Sequence, residues 1–189
     1  MLVQTPWSSD RLTYKSVETG YNMQLLHMLS DPSMVWCTSV EVCADILDVR
    51  HFVERFREYP EERQLIGCFR DDVLIGLLIV QYPNQTDMKC LLGNIPRGGA
   101  YTAIVLIDKR CRQNGYAKET LQSLCYKLAK SDDYCVLICG ISASNNAGLR
   151  LMDSLGYEVV GVADNYSSIG IPVGESGPVF KVYPTIKET

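Results

Sequence analysis

Between positions 109 and 118 the chain carries four basic side chains, Lys109, Arg110, Arg112 and Lys118, and no acid. Gln113, Asn114 and Gly115 stand among them. The whole chain has a net charge of −4, so composition argues against a nucleic-acid binder. A short cationic turn in an acidic chain suits a small polyanion better than a duplex. Its flanks sharpen the point. Four β-favouring apolar residues, Ile104 to Ile107, precede the turn. After it, Ala117, Leu121, Leu124, Cys125, Leu128 and Ala129 recur at helical spacing. A strand, a tight basic turn and a helix opening at Gly115 place free N–H groups and the positive end of a helix dipole over one spot. Gly115 has no Cβ, so the backbone there can approach a phosphate closely. No Gly-x-Gly-x-x-Gly follows a first strand, and no Gly-x-x-x-x-Gly-Lys-[Ser/Thr] is present. Both absences count against the dinucleotide fold and the P-loop.

Other reactive residues point to less. The eight cysteines include no Cys-x-x-Cys pair, and several lie in apolar runs such as Cys135-Val-Leu-Ile-Cys139. They read as reduced thiols used as small hydrophobes. His27 and His51 are the only histidines and neither has a cysteine pair nearby, so no metal is expected. The N-terminus lacks a basic and an apolar signal region, and no apolar run approaches 18 residues. The expectation is a cytoplasmic protein with no membrane and no nucleic-acid partner.

At 189 residues, 47% hydrophobic and 21% charged, the chain suits one compact domain spanning residues 1–189. Alternation over Arg11–Val17 predicts a first strand. A helix is expected over about 19–30, stopped at Asp31-Pro32. Residues 33–46 give no clear pattern. Val49, Phe52, Val53 and Phe56 predict a helix from Ile46 to Tyr59, before Pro60. Strands Arg63–Phe69 and Val73–Val80 are joined by a hairpin-like Arg70-Asp-Asp72. Residues 82–99, with Pro83, Asn84, Asn94, Pro96, Gly98 and Gly99, read mostly as a long loop. A buried strand at Tyr134–Cys139, a helix at Asn145–Leu155 capped by Gly156, and strands at Tyr157–Ala163 and Pro178–Tyr183 complete the chain. The fold class is mixed α+β (α/β in the broad sense). It has a mostly antiparallel twisted sheet of about seven strands flanked by about four helices.

Arg112-Gln-Asn-Gly115-Tyr-Ala117 resembles the acetyl-CoA signature [Arg/Gln]-x-x-Gly-x-[Gly/Ala] of the Gcn5-related N-acetyltransferases, the GNAT superfamily. Asn145-Asn-Ala-Gly-Leu-Arg-Leu-Met-Asp-Ser-Leu-Gly-Tyr157 looks like that family's second motif, an Asn and then a helix ending in Leu-Gly-aromatic. The element order agrees, and the match spans residues 100–164. Arg11-Leu-Thr, Leu29-Ser-Asp-Pro32, His51-Phe-Val-Glu-Arg-Phe56, Leu65-Ile-Gly-Cys-Phe69 and Leu74-Ile-Gly76 are similar to the RimJ/RimL-like branch.

The resemblance implies acetyl-CoA as co-substrate. Its pyrophosphate would rest on the backbone of Gln113, Asn114, Gly115, Tyr116 and Ala117, with Arg112 opening the loop. Val105, Leu106 and Ile107 would splay from the neighbouring strand and bond the pantetheine arm. Asn145 would stand near that arm, or serve only as a helix N-cap. Lys109 and Arg110 would meet phosphates or stay solvated. The chemistry implied is direct transfer to a neutral amine, with a backbone N–H of the Val105–Ile107 strand facing the oxyanion.

The acid/base half departs from the family pattern. Met152 stands where many members have a Tyr, Gly148 where several have a Ser, and Thr102 or a neighbour where an acid is common. Tyr101, Tyr166 and Ser142 are the candidate substitutes, with a water relay as an alternative. Glu119 reads as structural or surface, and Cys111 has no covalent role in the family's usual mechanism. The acceptor is a peptide or protein N-terminus or a small-molecule amine. A homodimer is left open. The rival readings are a catalytically inactive CoA-binding sensor or scaffold, and transfer of a longer acyl group.

Overall fold

The computed structural model describes residues 2–35, 42–130, 135–163 and 176–184. One eight-stranded sheet organises them. β1 (Trp7–Ser8), β2 (Thr13–Ser16), β3 (Arg63–Arg70), β4 (Val73–Gln81) and β5 (Ala100–Ile107) lie side by side in chain order. β6 (Val136–Gly140), β8 (Gly177–Val182) and β7 (Glu158–Ala163) follow in that spatial order. Every neighbouring pair is antiparallel except β5 with β6, which is parallel. The mostly antiparallel sheet expected from the sequence is therefore present, with the two-residue β1 added at its edge.

Helices cover both faces. α1 (Asn22–Leu29) and α3 (Ile46–Glu58) pack Leu25, Leu29, Val49 and Phe52 on Leu65, Leu77, Ile79 and Leu106 of the sheet. α5 (Tyr116–Ala129) and α6 (Asn146–Leu155) cover the opposite face, where Leu121, Leu124 and Met152 meet Leu78, Val80, Ala103 and Ile107. Ile104 and Leu106 of β5 thus face α1 and α3, and Ala103, Val105 and Ile107 face α5, as period two requires.

Six α-helices stand among the described residues rather than four. α2 (Pro32–Val35) is one addition. Pro32 does not merely stop α1, which ends at Leu29; it opens α2, because a missing N–H costs nothing in a first turn. The other addition corrects the long-loop reading of 82–99: Gln85–Leu92 is helical, α4. The side chain of Asn84 accepts from the Thr86 N–H at 2.8 Å, which caps it. Met88 is buried, and with Leu91 and Leu92 it packs on Ala100, Val136, Ile138 and Val179. The Pro and Gly residues that signal a loop flank this helix rather than fill it. The turn between β3 and β4 is as expected, with Asp71 (φ 49) and Asp72 (φ 61) both left-handed.

Candidate active site

The ladder between β5 and β6 is short. It pairs Ala100 with Val136, Tyr101 with Leu137 and Thr102 with Ile138, and then stops. β4 stays paired to β5 as far as Ile107, and β6 continues to Gly140 against β8. From Ala103 onward the two central strands therefore part. The Asp108 N–H donates to the Ile75 carbonyl at 2.9 Å. In an antiparallel pair the bonding direction alternates. Thr102, Ile104 and Leu106 therefore turn their backbone groups to β4. Ala103, Val105 and Ile107 turn theirs to the gap. The Ile107 carbonyl accepts from Arg112 Nε at 3.0 Å. Cys139 lies at the top of the gap, where burial pushes its thiol up to about 12, partly offset by a bond from the Ala103 backbone. Val105 presents both its N–H and its C=O midway down the opening. Leu106 does not: it opposes Leu77, with its side chain buried under α1 and α3.

The turn below the gap is held from within. Asp108 is buried; its carboxylate takes the Arg110 N–H at 2.9 Å and the Arg110 guanidinium at 3.1 and 2.7 Å. The Arg110 bond is the main reason that this carboxyl lies below its ordinary value. Arg110 is thus committed to Asp108. Lys109–Cys111 forms a 3-10 turn. The Asn114 side-chain amide then bonds the carbonyls of Cys111 (3.1 Å) and Arg112 (3.0 Å). Gln113 (φ 64) and Gly115 (φ 80) are both left-handed. Left-handed conformation is ordinary for glycine but uncommon for Gln.

Helix capping separates α5 from its neighbours. Asp45, Asn84 and Asn145 cap α3, α4 and α6 with their side chains. The N-cap of α5 is Gly115, with no side-chain bond. The first N–H groups of a helix have no partner inside it. At α5 they are left open to an anion, with the helix dipole behind them. Tyr116 is buried, its hydroxyl accepting from Arg70 Nη1 at 2.6 Å and its ring lying 4.6 Å from the Arg11 guanidinium. Ala117 is half-buried against the α5 side of the core.

Arg112 turns back toward the end of β5. Besides Ile107, it reaches Ser33 Oγ from Nη1 at 3.1 Å and Asp31 from Nη2 at 3.8 Å. Glu119 is structural, as its place in the sequence suggested. It accepts from Ser9 Oγ (2.6 Å), the Arg11 N–H (2.8 Å) and Arg11 Nε (2.7 Å). Burial raises this carboxyl, but the bonds from Ser9 and Arg11 outweigh it and the net shift is downward. Arg11 also donates to the Asn114 carbonyl at 3.0 Å. The N-terminal segment therefore braces the turn from 103 residues away, a role invisible without the fold. The sequence signal was the Arg11-Leu-Thr triplet, read only as a branch resemblance.

Of the candidate acid/base residues, Tyr101 and Ser142 stand at different levels of the sheet. Tyr101 is half-buried, its ring 5.2 Å from that of Tyr82, on the paired side of the gap. Ser142 follows β6 and is buried; its Oγ lies 2.9 Å from Ser144 Oγ and accepts the Ser144 N–H. Ser142 lies five positions beyond Leu137, the partner of Tyr101, and past the end of β6. Tyr166 lies outside the described residues. Met152 is core, and Thr102 donates to Gln81 Oε1 at 3.4 Å. Asn145 caps α6 by accepting the Gly148 N–H at 2.9 Å. A Cβ on Gly148 would stand 2.9 Å from Asn145 Nδ2, which accounts for glycine there. Among the described residues no group of acids, histidines and cysteines could hold a metal ion, and no helix is long and apolar enough to cross a membrane.

With this geometry in view, the chain can be set beside known proteins. The sequence model of the acetyltransferase (GNAT) family matches residues 33–157. No curated protein sequence matches. Among solved structures, a putative ribosomal-protein-serine acetyltransferase from Vibrio cholerae superposes with a TM-score of 0.73 at 17% identity, over 97% of this chain and 100% of that one. RimL, an alpha-N-protein acetyltransferase of a ribosomal protein, in complex with coenzyme A, gives 0.72 at 11% identity over 93% of each chain. Spermidine N-acetyltransferase from Vibrio cholerae, with CoA and spermine, gives 0.71 at 12%, over 93% of this chain and 97% of that one. At these identities the likeness is one of fold.

Proposed function

Because the chain belongs to the acetyltransferase (GNAT) family, an acyltransferase family, we propose that it moves an acetyl group from acetyl-CoA directly to a primary amine. One observation carries the reading. The gap beside Val105 and the uncapped N-terminus of α5 lie at the two ends of a single turn. A ligand with an extended amide arm and a pyrophosphate matches both. The arm needs backbone partners spaced along a strand, and Val105 offers a donor and an acceptor there. The pyrophosphate needs converging N–H groups, and the backbone from Gln113 to Ala117 offers them where a Cβ is lacking at Gly115. When bound, acetyl-CoA supplies an activated acyl carbon and a thiol leaving group.

In this reading Val105 N–H receives the charge that develops on the acyl oxygen, in a gap walled by buried side chains where such a bond is worth most. Asn145 caps α6 and fixes where that helix begins. The acceptor is a peptide or protein N-terminus, or a small-molecule amine. RimL, named for an alpha-N-protein substrate, and the spermidine enzyme represent these two classes among the similar folds. The RimJ/RimL-like branch resemblance favours the first. An α-ammonium loses its proton near pH 8 and a lysine ammonium above 10. An N-terminal amine therefore asks less of a site in which Tyr101 and Ser142 stand at different levels of the sheet.

A second reading, a CoA-binding scaffold without catalysis, is favoured by Met152 in the core and by the Ser142 hydroxyl facing Ser144. Titration calorimetry with CoA and acetyl-CoA tests the shared premise: no heat of binding at high micromolar protein overturns both. CoA release measured across peptides with free N-termini and polyamines then separates them. Binding without turnover on any amine would favour the scaffold.

A further inference from the structure

The side chain that opens the signature turn is not directed at the place where a phosphate would sit. Arg112 spends its guanidinium backward, on the Ile107 carbonyl at the end of β5 and on Ser33 and Asp31 at the elbow between α1 and α2. Asp31 itself accepts the Ser33 N–H at 3.0 Å, which sets the first turn of α2. That bond is the first cause of the lowered pKa of Asp31, with Lys109 and Arg112 adding to it. The elbow, 79 residues from Arg112 in sequence, is therefore fastened to the anion turn by one planar fork. Lysine could not reproduce this, having one nitrogen to serve both carbonyl and hydroxyl.

The elbow's position gives the contact a consequence. α5 and α6 fill one face of the sheet, and the anion turn opens α5. α1 and α3 lie on the other face, over Ile104 and Leu106 of the same strand that lines the gap. We propose that Arg112 is a positioning residue that couples occupancy of the anion turn to the α1–α2 elbow. The inference rests on the acetyl-CoA reading above. Gln113, in its left-handed conformation, is the next residue. A ligand that pulls on the turn backbone there moves the Cα of Arg112 and with it the fork.

Hydrogen exchange on the full-length chain, with and without saturating CoA, tests this. In the wild type, CoA should slow exchange about tenfold both at residues 113–119 and at residues 22–33, equivalent to about 1.4 kcal/mol of added local stability. In Arg112→Lys and in Asp31→Asn, slowing at 113–119 should persist and slowing at 22–33 should vanish. The coupling is overturned if residues 22–33 of the wild type ignore CoA while 113–119 respond, or if their response survives both substitutions. If neither segment responds, the acetyl-CoA reading itself fails and takes the inference with it.

Discussion

At the residue scale, the positive φ angles in the signature turn are the most exacting demand the site makes. Gly115 has φ 80, and a Cβ there would meet only Arg11 Nη2, at an ordinary 3.5 Å. Space is available; the backbone conformation is the obstacle. Gly115→Ala should cost about 1–2 kcal/mol, lower the melting midpoint by roughly 2–8 °C and weaken CoA binding. Gly115→Glu adds a carboxylate at the proposed anion site and should abolish CoA binding in calorimetry while circular dichroism still reports a folded chain. Retained binding would move the anion site elsewhere. Gly148 is a converse case. A side chain there is blocked by Asn145 and Ile141. Gly148→Ser, the residue that the family resemblance implies there, should therefore lose about 1 kcal/mol by disturbing the α6 cap and gain no activity. Chemical denaturation and a steady-state assay would check both halves.

At the element scale, two helix N-termini differ in how they are satisfied. Asn145 closes α6 with its own side chain, so Asn145→Ala should cost about 1 kcal/mol in denaturant midpoint and Asn145→Asp far less. The turn into α5 relies instead on carboxylates. Asp31, Asp108 and Glu119 all have lowered pKa values and all brace that turn. For Asp108 the largest cause is the Arg110 bond, and for Asp31 the Ser33 N–H. For Glu119, burial pushes upward but Ser9 and Arg11 prevail. A carboxyl depressed in the folded state adds stability above its unfolded pKa, and that stability is lost as pH falls through the folded value. The melting midpoint should therefore hold from pH 7 to about 5 and fall below about 4. Asp108→Asn should shallow that acid slope. An unchanged slope would place the acid-sensitive contacts elsewhere.

At the scale of the whole molecule, one sheet runs unbroken from β1 to β7, and helices on both faces bury it in adjoining clusters. The one seam, the short ladder between β5 and β6, is crossed by a core cluster that joins Leu78, Ala103, Leu137 and Phe180. Calorimetry should show one transition whose calorimetric and van't Hoff enthalpies agree, and two separated transitions would break the single-domain reading. The α4 cluster tests how firmly the far half of the sheet is held. Met88 is buried there, and Met88→Ala should cost about 2–5 kcal/mol in the same transition.

The strand, turn and helix from β5 into α5 were legible in the sequence because everything they need is local. A strand, a positive-φ glycine and an amphipathic helix are adjacent in the chain, and backbone chemistry needs no distant partner. The helices of α3, α5 and α6 and the hairpin of β3 with β4 were legible for the same reason, since period and turn chemistry are short-range. α4 was not, because its flanking prolines and glycines outweighed eight residues whose helicity depends on burying Met88 against Val136 and Val179. Long-range choices belong to the tertiary structure. It sends Arg11 to Glu119 and Asn114, turns Arg112 toward Asp31 and Ser33, and pairs Leu106 with β4 so that Val105 faces the gap. It also keeps Tyr101 and Ser142 apart. A residue type states which bonds a side chain can make; only the packed chain decides which partner lies within 3 Å of it.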